Sequence, residues 1–310
     1  MQVREIDART ASDEELLAFH ALEEAYRLEL VPDEPGRIAE EAIAFHRFQP
    51  ATHETYNWLA DGGFASLYVH GPEAAFVNVI VHPERRRCGA GTALLATVGS
   101  RAEERGVRSL HGHHATPAGA AFAGRIGAVD AQREVASLLD LRTGELPEPA
   151  LPPGWRLLTW LTRVPDEHLA GYVRGRAAMD DAPGSVEIGF PTASAERVRA
   201  SEESLIERNR EMRLTVAIDD GGEIGAFTEL RVSRGSTLGF TDDTGTVAAH
   251  RGIGLARAVK IESLLRLRAD HPEVTVVTTN NAEENAAMRH INESVGFRAV
   301  AVYTRATLAL

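Results

Sequence analysis

Two stretches of this 310-residue chain set arginine and glycine at one spacing: Arg251-x-x-Gly254-x-Ala256 within Thr244 to Lys260, and Arg86-x-x-Gly89-x-Gly91 within Val79 to Leu95. Each follows an extended apolar run and opens an amphipathic helical pattern. After Arg251, Leu255, Ala258, Val259, Leu264 and Leu265 fall roughly on one face. The chemistry such a junction suits is anion binding. Glycine lets backbone come close to a ligand, and the first N–H groups of a helix have no intrahelical partner, so phosphate oxygens can be held there with the helix dipole behind them. One such loop is most simply a glycine turn beside a solvated arginine. Two of them, 165 residues apart (from 86 to 251), point to a duplicated phosphate-binding unit of about one domain each. The candidate binding residues are Val81, Arg86, Arg87, Cys88, Gly89, Ala90, Gly91 and Thr92 in the first loop. In the second they are Thr246, Val247, Arg251, Gly252, Ile253, Gly254, Leu255 and Ala256. Neither loop has the lysine and hydroxyl of a P-loop, which counts against a nucleotide-phosphate enzyme.

The pattern Arg-x-x-Gly-x-Gly/Ala between strand and helix resembles the acyl-CoA pyrophosphate loop of the GNAT superfamily of N-acyltransferases. The tail Thr279 to Phe297, T-N-N-A-E-E-N-A-A-M-R-H-I-N-E-S-V-G-F, is similar to the segment that ends in that family's Gly-Phe. The whole chain thus resembles a tandem GNAT protein. The resemblance implies an α+β fold of two GNAT-like domains, each a mixed, mostly antiparallel sheet flanked by helices. It also implies acetyl-CoA as cofactor and direct attack by an amine, without an acyl-enzyme. Asn281 and Asn285 become candidates to hydrogen-bond the pantetheine arm. The first unit has Pro117 to Ala121 in that region, so its tail reads as worn and the unit as structural or vestigial.

Acyl transfer to an amine also needs donors to the thioester oxygen, a proton acceptor and an acid for the leaving thiolate. The oxygen is expected near the backbone of Thr246 or Val247. For the base, Glu229 and the pair Asp242-Asp243 lie on adjoining predicted strands. Glu73 precedes Arg86 by 13 positions, a spacing at which some GNAT members place a catalytic carboxylate. For any one of Glu229, Asp243 and Glu73 alone, a surface carboxylate at a strand end is the simpler explanation. Many family members carry tyrosine shortly before Gly-Phe; here Asn292 stands there, and Ala123 in the first unit. Asparagine does not donate a proton as a phenol does, which leaves water, Tyr303, Tyr172 or a non-catalytic unit. His111, His113 and His114 read as polar strand-end residues.

The elements that must position these groups follow from pattern. Ser12 to Glu15 has capping-box spacing before a helix reaching about Leu30. A helix over Arg37 to His46 and a hairpin turning at Asp61-Gly62-Gly63 precede the strand Ala75 to Val81. Leu146 to Gly154, with four prolines, reads as a semi-rigid linker. The domains expected are therefore 1–145, a linker at 146–154, and 155–310 as the catalytic unit. Predicted strands Arg213 to Ile218, Ile224 to Val232 and Thr237 to Val247 lead into the second loop, and Ala299 to Leu308 closes the chain. A loop is expected around Pro183-Gly184.

Composition bounds the function. With 45 acidic and 33 basic residues the net charge is −12, which disfavours a nucleic-acid or anionic-membrane binder. No apolar run approaches membrane-spanning length and the start lacks an apolar signal core, so a cytoplasmic protein is expected, as monomer or homodimer. The single cysteine, Cys88, excludes an intrachain disulfide, and no cysteine and histidine spacing suggests a metal site. Two readings remain: an acetyl-CoA-dependent N-acyltransferase with a small-molecule amine acceptor, and a catalytically silent acyl-CoA-binding scaffold or regulator.

Overall fold

The computed structural model describes residues 1–49, 54–69, 71, 74–143, 145–177 and 193–310; the loop expected around Pro183-Gly184 lies outside them. The chain divides into two compact units, Met1–Glu134 with Ala301–Leu310, and Val135–Val300. These are not the spans 1–145 and 155–310. The chain leaves the first unit within the strand Val129–Asp140 (β6) and returns to it within Arg298–Ala309 (β12).

In the first unit the strands are Val3–Ile6 (β1), Glu54–Ala60 (β2), Gly63–Val69 (β3), Ala75–Val81 (β4) and Ser109–His114 (β5), with β12 beside β5. All neighbours are antiparallel except β4 and β5, whose parallel pairing comprises Ala75↔Leu110 and Phe76↔His111. The helix Asp13–Leu30 (α1) begins at Ser12 with both bonds of the expected capping box. Its Leu16, Phe19 and Leu22 bury against Ile6 and Phe64. The helix Ala90–Glu104 (α3) packs Leu94, Val98 and Ala102 on Trp58, Leu67 and Leu110. Ala39–Arg47 (α2) and Pro117–Ile126 (α4) complete the unit. Removing apolar surface from water at about 25 cal/mol per Å² is the main force behind this layering.

The second unit repeats the plan. Its strands are Trp155–Leu161 (β7), Arg210–Asp219 (β8), Ile224–Ser233 (β9), Leu238–Thr246 (β10) and Val276–Ala282 (β11), in the order β6-β11-β10-β9-β8-β7. β10 and β11 are parallel from Leu238↔Val276 to Thr241↔Thr279. Strand β9 is buried along nearly its whole length, as a strand with both faces covered must be. One face carries Asp166–Arg176 (α5) and Ala195–Glu207 (α6), with Tyr172, Leu205 and Leu214 in contact. The helix Leu255–Asp270 (α7) sets Ile261, Leu264 and Leu267 against Leu230, Val277 and, from β6, Leu139. The tail helix Ala286–Val295 (α8) ends at Gly296 with φ +105, a left-handed cap natural to glycine.

The two units share mixed, mostly antiparallel sheets flanked by helices, which is the α+β arrangement expected. One feature was not expected. In each half of the sequence, the strand that follows the tail helix completes the other unit: β12 borders β5, and β6 borders β11.

Candidate functional site

In both units the parallel pair parts at the same point, ten residues before the loop arginine: at Phe76 before Arg86, and at Thr241 before Arg251. Past it the strands bound an opening that leads to the loop and the helix start. The loops match residue for residue. A single 3-10 turn, Pro83–Arg85 or Ala248–His250, follows the strand. The arginine then donates from Nε back to the strand's last carbonyl, Arg86 to Val81 at 3.3 Å and Arg251 to Thr246 at 3.2 Å. Gly89 (φ +91) and Gly254 (φ +90) are left-handed N-caps that make no side-chain cap bond. The first intrahelical bonds come from Ala93 and Ala258, so the N–H groups before them are left for a ligand. A Cβ at Gly89, Gly252 or Gly254 would meet no atom within 4 Å. The space beside these glycines is thus open. Gly252 has φ +80, and its counterpart Arg87 holds φ +68 without being glycine. Ile253, Cys88 and Thr92 are exposed, whereas the side chains of Ala90 and Leu255 are buried, so those two offer only backbone. A Cβ at Gly91 would sit in ordinary contact with Phe122, and Ala256 takes its place in the second loop.

Val247 donates its N–H to Gly225 of β9 at 2.9 Å. Strand alternation then turns the N–H of Thr246 the other way, toward the opening. Of the two backbone positions expected to meet a thioester oxygen, Thr246 is the one left for it.

The first loop's arginine is engaged. Arg86 grips Glu29 of α1 with both terminal nitrogens, at 2.8 and 2.5 Å, and this pairing holds Glu29 below the usual carboxylate range. Nearby, burial together with the charges of Tyr303 and Glu29 pushes Tyr26 up to about 12. Tyr303 itself is raised by burial and by Glu34. Tyr303 belongs to the first unit.

In the second unit the carboxylates cluster at the mouth of the opening. Register along β10 and β9 slips between Thr241 and Thr244, a bulge that sets Asp242 and Asp243 where β11 diverges. Asp243 accepts from Arg176 of α5 at 2.5 Å, and Asp242 from Arg231 at 2.5 Å. Burial and the neighbouring charge of Asp242 push Asp243 up to about 6, against the pull of Arg176. Glu229 is a different case. It is 1% exposed and bonded by Tyr172 and Arg176 together, with Arg231 at 3.4 Å. Glu229 is thus enclosed by two guanidiniums and a phenol. Tyr172 is buried with it, and burial and the Glu229 charge hold its phenol well above its usual value. Glu73 lies outside the described residues. The first unit has Val77 and Asn78 where Asp242 and Asp243 stand, so its opening lacks these acids.

The tail helices complete each site. Asn285 is the N-cap of α8, its side chain accepting from Met288 N at 3.1 Å, so its oxygen serves the helix. Asn281 accepts from Asn292 Nδ2 at 2.5 Å, and Asn292 accepts from Lys260 of α7 at 2.5 Å. Each tail helix is also tied to the first turn of its loop helix, by one bond with its ends exchanged. Arg125 donates to Thr92 at 3.0 Å in the first unit, and Arg257 donates to Ser294 at 3.1 Å in the second.

Residues 16–127 match the model of the acetyltransferase (GNAT) family. These residues are a GNAT domain. They run from within α1 to the end of α4, the first loop included; this is the half whose tail reads as worn. The chain is 37% identical over 107 residues to a mycothiol acetyltransferase from Saccharomonospora viridis, a match covering 34% of each protein. It thus spans about a third of that relative. The fold of the whole chain is that of a tandem GNAT protein from the clavulanic acid biosynthesis pathway, with a TM-score of 0.82, 25% identity, and coverage of 99% of this chain and 98% of that one. A GCN5-related N-acetyltransferase from Sphaerobacter thermophilus shares the fold at a TM-score of 0.75, with 17% identity over 99% of this chain and 95% of its own.

Beyond the GNAT loops, sequence reading missed the partners that decide what each acid does: Arg176 and Arg231, which enclose Glu229, and Lys260 behind Asn292. A signal for Lys260 exists. It falls on the i, i+4, i+7 stripe with Leu264 and Leu267, where an apolar residue is expected. No cluster of histidine, cysteine, aspartate or glutamate among the described residues could hold a metal ion, and none of their helices is long and apolar enough to cross a membrane.

Proposed function

We propose that the chain is an acyl-CoA-dependent N-acyltransferase that moves acetyl from acetyl-CoA to a small primary amine by direct attack, with catalysis in the second unit. The observation that supports this reading is the bulge of β10 just past its last pair with β11, where the raised carboxyl of Asp243 lies on the strand that leads to the glycine loop. A base poised near the working pH removes a proton most effectively. Asp243 takes the proton that nitrogen sheds as its lone pair forms the new C–N bond. The N–H of Thr246 faces the carbonyl oxygen as charge develops on it. The bond to sulfur breaks, and the thiolate takes its proton from water, since Asn292 supplies none. Arg251 and the amides from Gly252 to Ala256 hold the pyrophosphate. The first unit, with Val77 and Asn78 in place of the two aspartates and Arg86 on Glu29, is structural in this scheme.

Asn292 in the tyrosine's place favours a second reading, a silent acyl-CoA-binding protein. Thiol release from acetyl-CoA with a panel of amines separates the two. Turnover should rise with pH through about 6 as Asp243 loses its proton. Asp243→Asn should lower kcat about 100-fold or more, general-base catalysis being worth roughly 10²–10⁴, with CoA affinity little changed. Wild-type protein that binds CoA but turns over no amine would establish the silent reading.

A further inference from the structure

We infer that Lys260 is a positioning residue of the second unit: through Asn292 it fixes the amide of Asn281 so that its NH2 faces the opening beyond the last β10–β11 pair, as donor to a carbonyl oxygen of the acyl-CoA arm. The inference rests on the acyl-CoA reading above.

The three side chains form one chain of hydrogen bonds, Lys260 Nζ to Asn292 Oδ1 and Asn292 Nδ2 to Asn281 Oδ1, each 2.5 Å. Its direction is set at the lysine end. Below about 7, where Lys260 is an ammonium with three donors and no acceptor, Asn292 must turn its oxygen toward it and its NH2 onward. Asn281 must then accept through its own oxygen, which leaves its NH2 to donate. This order follows from the lysine, not from telling oxygen from nitrogen by shape. Asn281 is half-buried and stands two residues past Thr279, where β11 has parted from β10.

Lys260 is 1% exposed, at the end of an apolar stripe. Burial pushes its ammonium down to about 7, and the ring of Phe297 lies 5.2 Å from Nζ. A buried ammonium is costly, and the first unit shows that the same fold does without it. Leu95, nine residues after Arg86, is the counterpart of Lys260, nine after Arg251. Ala123, four before Gly127, is the counterpart of Asn292, four before Gly296. His113, two past the end of its strand pair, stands for Asn281 and faces Glu134 at 3.5 Å. All three members of the chain differ together, and they are polar in the unit whose opening also carries the acids.

The test compares CoA with 3′-phospho-ADP, which keeps the phosphates and lacks the arm, by calorimetry on the full chain in an Arg86→Ala background. Lys260→Leu with Asn292→Ala copies the apolar pair of the first unit. This double variant should weaken CoA binding about 3- to 10-fold, one neutral hydrogen bond's worth, and leave 3′-phospho-ADP unchanged. Asn281→Ala, at a half-buried position, should give the same loss alone and add nothing to the double variant. CoA affinity unchanged in the double variant, or both ligands weakened equally, would overturn the positioning role. If Arg86→Ala protein binds neither ligand, the acyl-CoA reading falls and takes this inference with it.

Discussion

Arg86 and Arg251 occupy the same place in two loops and differ in what faces them. A phosphate bound through Arg86 would have to displace the carboxylate of Glu29 from a two-pronged grip. The pair is partly exposed, with side chains 23% and 31% accessible, so the competition is modest rather than prohibitive. In an Arg251→Ala background, Glu29→Gln should tighten 3′-phospho-ADP binding about 2- to 10-fold. A dissociation constant that does not move would mean that Glu29 and the phosphate never compete. Much of the loop was legible at this scale, because glycine at a left-handed position and arginine at a fixed offset are local requirements. What Arg86 and Glu229 touch was not, since Glu29 and Tyr172 approach from helices far away in sequence. The carboxylates illustrate the limit: Glu229 and Asp243 read alike as acids on neighbouring strands, and only their partners, Tyr172 with two guanidiniums for one and Arg176 for the other, set them apart.

At the scale of the element, α7 has two duties, to bury Leu264 and Leu267 and to hold Lys260. The second opposes stability. Folded, the lysine releases its proton near 7, whereas an unfolded lysine does so near 10.5. Between those values the unfolded chain binds more protons, so stability rises with pH; below about 7 the full penalty of burying the ammonium is present. Each unit of that interval is worth about 1.4 kcal/mol. Urea unfolding of the wild type should therefore show a stability gain of several kcal/mol from pH 7 toward 10. Lys260→Leu with Asn292→Ala should flatten it, and an equal gain in the variant would show that Lys260 does not carry the effect. Above about 10 the raised Tyr172 and Tyr26 act in the opposite sense, since the unfolded tyrosines lose their protons first. Helix and strand positions were readable from periodicity, as with the capping box at Ser12 and the apolar face of α3. The duty of Lys260 was not, because a lysine in an amphipathic helix ordinarily marks the solvent side.

For the whole molecule, the decisive fact is where β6 and β12 end up. An apolar strand after a tail helix looks the same in sequence whether it completes its own sheet or another, so the linker at 146–154 reads as a domain boundary. The compact units show otherwise: a cut there would take Ala301–Leu310 from the first unit and Val135–Asp140 from the second. A protease site placed in 146–154 should accordingly yield two fragments that stay together in native size-exclusion chromatography and part only in denaturant. Fragments that separate without denaturant would contradict the exchange of strands. The same exchange imposes a schedule on the ribosome. The edge of β5 at Ser109–His114 is complete long before its partner, Thr304–Ala309, has been translated. At about 5–20 residues per second the wait is roughly 10 to 40 seconds. A nascent first half presents an unpaired strand edge for all of that time, so slow codons between 135 and 300 would favour aggregation through an edge the finished protein never exposes.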